Sequence, residues 1–163
     1  HMGFLEIVQG VKKLRDEMAP RVKIALLTNS CNLSRADVAE ACRLIDSPIC
    51  KLDAGDAETF RSINRPRSRL DLEDIIRSIR STPGAIVQAM MVEGSVTNAT
   101  EKQVRSLIDA VREAKPVFVQ VYSIDFPFPR ASLLPVANEK LETIARRVRE
   151  ETEIDSQAYW ESR

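Results

Sequence analysis

Ile49-Cys50-Lys51-Leu52-Asp53-Ala54-Gly55-Asp56-Ala57-Glu58-Thr59-Phe60, running on to Asn64-Arg65-Pro66, begins as a short apolar run and ends as a helix pattern. Within the run Lys51 and Asp53 stand two residues apart, so strand alternation puts both side chains on one face. An interior charge is costly unless it is paired or used, which makes this pair informative. The run breaks at Ala54-Gly55, and Asp56 is placed to cap a helix over residues 56–63. Lys51 and Asp53 therefore sit at the carboxyl end of a strand that feeds a helix. Parallel α/β folds hold ligands at that end.

Upstream, Phe4, Ile7, Val8, Val11, Leu14 and Met18 recur at helical spacing, which predicts an amphipathic helix over residues 3–18 stopped by Pro20. Residues 22–28 are nearly all apolar and predict a strand buried on both faces. Ser34, with Asp37 behind it and a Leu33–Val38 contact, predicts the capped start of the next helix. Downstream, Asp71 opens a helix with Leu72, Ile75, Ile76 and Ile79 inward. Residues 85–92 predict a third strand, and Thr100 with Gln103 a capping box for the helix carrying Val104, Leu107, Ile108 and Val111. A fourth strand over 117–122 precedes a long loop with Pro127, Pro129 and Pro135. A last helix carries Leu141, Ile144, Ala145 and Val148. Tyr159 and Trp160 in the tail either dock on the body or offer a binding platform.

Strand and helix alternate four times, so the expected fold is α/β, with four parallel strands alternating with helices. Half of a closed β/α barrel and a small open sheet both satisfy this pattern. His1-Met2 reads as a cloning remnant, and residues 3–163 as a single domain. At 163 residues and 44% hydrophobic content the chain can bury an ordinary core. A formal net charge of zero excludes a global field favouring nucleic acid or membrane. No apolar run approaches the ~20 residues of a membrane span, and a cytoplasmic location is expected. Cys31, Cys42 and Cys50 are odd in number and widely spaced, unlike a disulfide or zinc framework. Cys42 and Cys50 read as small buried hydrophobes, and Cys31, just past a strand end, is the one to watch. No strand end carries a glycine-rich phosphate loop, which ranks a phosphate-binding barrel fragment last.

Alternation also pairs Gln88 with Met90 and Gln120 with Tyr122 on single faces. If these faces all turn inward, Lys51, Asp53, Gln88, Gln120 and Tyr122 form a polar cup rimmed by Thr28, Asn29, Ser30 and Asn98. The cup is either a ligand site or a polar network that satisfies itself. Lys51 and Asp53 most simply pair as ions, within reach of a ribose hydroxyl or a substrate carboxylate. A Schiff base at Lys51 requires a depressed pKa, which a paired Asp opposes.

The string KLDAGDAETFRSINRP resembles the fourth-strand motif of radical S-adenosylmethionine (radical SAM) iron–sulfur oxidoreductases related to wyosine-synthesising tRNA enzymes, whose pattern is KLDAGD-ETF---NRP. The resemblance extends back to Leu27-Thr28-Asn29-Ser30 and forward through residues 88–98 to Val119-Gln120-Val121-Tyr122 and Pro135-Val136. It implies an arc of a partial (β/α) barrel, the C-terminal part of an enzyme that reductively cleaves S-adenosylmethionine to a radical, with tRNA base modification as a candidate outcome. It further implies Thr28, Asn29, Asp53, Gln88 and Asn98 as cofactor-binding residues. Lys51, Gln120 and Tyr122 lie nearer the substrate on that reading, with Lys51 the catalytic candidate.

The departures matter as much. The C-x3-C-x2-C loop that holds the 4Fe-4S cluster in such enzymes is absent, as are the first two strands and their acidic, glycine-containing motif. The resemblance therefore implies a truncated part of a longer enzyme. S-adenosylmethionine and the cluster belong to the full-length protein, neither is expected on this chain, and the chain alone is expected to be inactive. Its first partner would be the missing N-terminal part. Phe126-Pro127 replaces the Arg-Pro of relatives. Arg61, Arg65, Arg67 and Arg69 are either an RNA-phosphate patch or a solvated loop. The first strand's unpaired edge is expected to make a dimer. The alternative is a stand-alone, non-catalytic interaction or regulatory domain.

Overall fold

A computed structural model describes residues 3–66, 70–124 and 133–160. Arg67, Arg69, Phe126-Pro127 and Pro129 lie outside them. The elements are α1 (Phe4–Met18), β1 (Ala25–Thr28), α2 (Ala36–Arg43), β2 (Ser47–Lys51), α3 (Ala57–Asn64), α4 (Leu72–Arg80), β3 (Ile86–Gly94), α5 (Glu101–Ala114), β4 (Phe118–Ser123), β5 (Leu133–Pro135), α6 (Asn138–Thr152) and β6 (Ser156–Tyr159).

The expected α/β alternation is present. Strands β1, β2, β3, β4 and β6 lie side by side in that order, each parallel to its neighbour. Two strands extend the four that the sequence predicts. β6 is a fifth parallel strand built from the tail, and β5, inside the proline-rich loop, pairs antiparallel with the end of β3.

One face of the sheet is covered by helices. Cys50, Val87, Ala89, Met91, Val119 and Val121 point into it and are buried with Ile75, Ile76 and Ile79 of α4, Leu107, Ile108 and Val111 of α5, and Leu141, Ile144 and Val148 of α6. Each such aliphatic side chain contributes about 1.5–3 kcal/mol by leaving water. Val8, Ala41 and Ile45 form a smaller cluster where α1 meets α2.

Three sequence expectations fail, each for a physical reason. β1 is not buried on both faces: its burial alternates, and Leu27 is 62% exposed, because its uncovered side belongs to the open face of the sheet. The apolar face of α1 is wider than the surface beneath it. Val8 is buried, while Ile7, Val11, Leu14 and Met18 are exposed. The expected caps on two helices do not form. Arg35, not Ser34, precedes α2, and its guanidinium binds Asp37 at 2.8 Å. Thr100 precedes α5 without a side-chain cap bond, and the Gln103 Oε1 is buried without a partner among the described residues.

Other expected caps hold. Asp56 accepts from the Thr59 N–H at 2.9 Å and Asp71 from the Glu73 N–H at 3.0 Å. Between β2 and α3 the chain passes so close to α5 that a Cβ at Gly55 falls 1.9 Å from the Ser106 carbonyl oxygen. Backbone cannot yield as a flexible side chain does. Gly55→Ala is therefore expected to destabilise the fold by about 1–3 kcal/mol through overpacking. Urea denaturation measures it, and an unchanged midpoint would refute the close approach.

Candidate functional site

Register defines three rows on the uncovered face. Leu27, Ile49, Ile86 and Phe118 are cross-strand partners in the first. Lys51, Gln88, Gln120 and Gln157 make the second, and Met90, Tyr122 and Tyr159 the third. An apolar floor thus gives way, toward the carboxyl ends of the strands, to a polar row and then to two tyrosines. Gln157 escaped the sequence reading and Tyr159 was read only as a tail residue that docks or offers a platform, because a four-residue strand in a polar tail carries no apolar run to announce it.

The structure joins several of the expected residues directly. The Lys51 ammonium donates to the Tyr122 hydroxyl at 2.6 Å and lies 3.3 Å from an Asp53 carboxylate oxygen. It also sits 5.1 Å from the centre of the Tyr122 ring, within cation–π range. The Gln88 amide donates to the Gln120 carbonyl oxygen at 3.0 Å. An ammonium has three donors and no acceptor, so Tyr122 can only accept from it, and the phenol keeps its own proton to donate.

Asp53 and Asn98 hold the scaffold. The Asp53 side chain is 1% exposed. One carboxylate oxygen accepts from the Met90 N–H at 2.9 Å, and the other from the Asn64 amide at 2.6 Å. Asn98, equally buried, accepts from the Val92 N–H and donates to the Asp53 and Met90 carbonyls, each at 2.7 Å. Asn64 is part of the quoted string, but only the folded chain brings it to Asp53. At the rim, Thr28 Oγ1 accepts from the Ser30 N–H and the exposed Asn29 from the Cys31 N–H. The buried Ser30 hydroxyl donates to the Lys51 carbonyl at 2.9 Å, tying the β1 loop to the end of β2.

Electrostatics decides between the two roles open to Lys51. Burial alone pulls its pKa down, but the Asp53 charge and the hydrogen bond with Tyr122 outweigh it and leave the pKa raised. A Schiff-base nucleophile needs the opposite shift. Lys51 is an ammonium at neutral pH.

The cysteines do not gather. Cys42 and Cys50 are buried and Cys31 half-buried. Burial pushes the Cys50 thiol up to about 12, with the neighbouring Cys42 adding to the effect. No three His, Cys, Asp or Glu side chains cluster as metal donors among the described residues. These side chains do not fit a 4Fe-4S cluster, which needs thiolates on a common centre.

Two outcomes are expected. Asn98→Ala leaves a buried N–H and two carbonyls without their partner and should cost roughly 2–3 kcal/mol in denaturant unfolding. A smaller loss than for a surface control such as Lys102→Ala would refute the clamp. Because the folded pKa of Lys51 lies above its ordinary 10.5, its contribution is fully present below that value and is lost as pH rises through the folded pKa. Stability of the wild type should therefore fall more steeply than that of Lys51→Met above pH 10.5. Parallel curves would refute the shift.

Comparison with known proteins places the fold. No family model matches the chain. It is 29% identical over 128 residues to the UPF0026 protein slr1464 of Synechocystis and 28% identical over 116 residues to the UPF0026 protein MJ1312 of Methanocaldococcus jannaschii. These matches take in 76% and 69% of this chain, but it spans only 45% and 35% of those relatives. A domain of pyruvate-formate lyase-activating enzyme from Bacteroides vulgatus superposes with a TM-score of 0.66 at 12% identity, covering 96% of this chain and 93% of that one. A radical SAM methyltransferase from Sphaerobacter thermophilus superposes at 0.55 and 16% identity, covering 72% of this chain and 36% of that one. The parallel sheet with helices on one face is thus a fold that radical SAM enzymes use.

Proposed function

We propose that this chain is part of a radical SAM iron–sulfur oxidoreductase whose longer form reductively cleaves S-adenosylmethionine to generate a radical, with tRNA base modification as its candidate outcome. The observation that carries this reading is the uncovered face, where Lys51, Gln88, Gln120 and Tyr122 converge at the carboxyl ends of parallel strands. The shared fold and the long KLDAGDAETFRSINRP string support it.

In this reading the cluster's thiolates come from the missing N-terminal part, since the cysteines here do not fit one. When bound there, the cluster would supply the electron that cleaves the cofactor. Residues of this chain take other work. Gln88 on the open face, with Thr28 at the end of β1 and Asn29 on the loop after it, are the cofactor contacts. Asp53 and Asn98, whose polar atoms are already bonded within the fold, act by shaping that contact surface. Lys51 presents an ammonium and Tyr122 a phenolic proton to an anionic or carbonyl oxygen of the substrate, while Gln120 offers its amide beside them. Arg61 and Arg65, both exposed, are available to RNA phosphate. Among the described residues no helix is long and apolar enough to cross a membrane; the enzyme reading proposes action in the cytoplasm.

The scattered cysteines favour one other reading, a stand-alone interaction or regulatory domain that keeps the sheet without the chemistry. Iron and sulfide analysis of the longer native protein, with calorimetric titration of S-adenosylmethionine, separates the two. The enzyme reading expects a cluster and saturable cofactor binding. Lys51→Met is expected to keep both while weakening substrate about tenfold or more, the loss of roughly 1.4 kcal/mol of contact. A native protein with neither iron nor affinity for the cofactor would leave the module.

A further inference from the structure

β6 brings to the open face two residues that the contacts proposed above leave out, Gln157 and Tyr159. Gln157 is the cross-strand partner of Gln120 and Tyr159 that of Tyr122, so both stand directly beside the polar groups of β4. Both are exposed.

What these groups can offer a ligand follows from how their hydrogen bonds are already spent. Lys51 has three donors, and the Tyr122 hydroxyl and the Asp53 carboxylate engage two of them, so one remains. Tyr122 accepts from the ammonium and keeps its own proton to give. The Gln120 carbonyl oxygen accepts from Gln88, and the Gln157 carbonyl oxygen from the Tyr159 hydroxyl at 3.3 Å. The amide nitrogens of Gln120 and Gln157 are thereby left without a hydrogen bond among the described residues, each with two N–H groups to donate. The unspent acceptors are the Gln88 carbonyl and the phenolic oxygen of Tyr159. The surface around β4 mostly donates, and its complement is a ligand that mostly accepts.

Charge narrows the ligand further. Among the residues of the three rows, with Asp53 beneath them, Lys51 carries the one positive charge and Asp53 the one negative charge, so the face is neutral in sum. A dianion finds no second cation there. A single carboxylate beside the ammonium, with an uncharged oxygen elsewhere, needs none.

We propose that Gln157 is a specificity-determining residue of the open face, which takes a ligand carrying one carboxylate on Lys51 and Tyr122 and a second, uncharged acceptor oxygen on the amides of Gln120 and Gln157. This rests on the reading of that face as the substrate side of the proposed enzyme. Its test uses neither cluster nor cofactor, so it and the iron and cofactor measurements fail independently. With strands about 4.8 Å apart and about 3.3 Å per residue, the two amides lie roughly 7–8 Å from Tyr122 along the sheet, the reach of a short-chain acid bearing a second carbonyl.

Titration of the 163-residue chain, followed by NMR at the side-chain amides of Gln120 and Gln157, compares chain acids of similar length: monomethyl glutarate, hexanoate, δ-aminovalerate and glutarate. Monomethyl glutarate is expected to shift both amides saturably and to bind about threefold to tenfold tighter than hexanoate, which lacks the second oxygen. δ-Aminovalerate, with a cation in place of the ester, should bind more weakly than hexanoate, and the glutarate dianion no more tightly than its monoester. Gln157→Leu, at an exposed position, should remove the preference for the monoester and leave hexanoate binding unchanged. A preference that survives Gln157→Leu would overturn the proposal, as would equal binding of hexanoate or tighter binding of glutarate or δ-aminovalerate. So would the absence of any shift at millimolar probe, which would make the row a network satisfied within itself.

Discussion

Everything near the open face depends on one substitution of chemistry, in which the Asp53 side chain does the work of a strand carbonyl. β2 stops at Lys51 while β3 runs on to Gly94, so the Met90 N–H would lose its neighbour in the ladder. The Asp53 carboxylate accepts it instead, and Asn98 takes the next N–H, at Val92, while donating back to both strands. Buried amides left unpaired would each cost about 1–3 kcal/mol. With this patch in place the chain can leave the sheet for α3 without that loss. The same carboxylate then fixes the charge of Lys51, so fold and electrostatics share a single residue.

This division of labour explains what the sequence could and could not reveal. Strand alternation in a short apolar run was enough to put Lys51, Gln88, Gln120 and Tyr122 on one surface, because register needs no knowledge of distant contacts. It could not separate Lys51 from Asp53. Both break an apolar run, yet Asp53 is consumed by backbone and Asn64, and only folding shows that. Asn98 looked like a rim residue for the same reason. β6 was illegible because its support comes from β4 and α6, not from its own letters. The width of the apolar face of α1 was legible, but periodicity says nothing of how much surface lies beneath a helix.

The quoted string itself now reads as a mechanical joint. Asp53, two residues past the end of β2, takes the Met90 N–H, Gly55 lets the turn press against α5, and Asp56 caps α3. The Asp56 carboxyl is held below its ordinary range: burial opposes this, but the Thr59 N–H and the Thr59 and Ser106 hydroxyls prevail. Asn64 closes the loop back onto Asp53. Among the polar groups discussed in this stretch, the Lys51 ammonium is the one aimed along the uncovered face.

A joint that rigid has a chemical consequence. The Lys51 head is held from below by a carboxylate that is itself immobilised by backbone, and from the side by a tyrosine on the second strand over. Rotating it away would strand a buried negative charge, which is more expensive than losing a surface ion pair. The ammonium is therefore pre-positioned, and a ligand oxygen arriving beside it meets a fixed charge and a phenolic proton with little side-chain entropy left to lose. Such an arrangement suits orientation and charge stabilisation, in which the group stays protonated throughout, and disfavours covalent capture, which would require the lysine to shed a proton that Asp53 and Tyr122 help it keep.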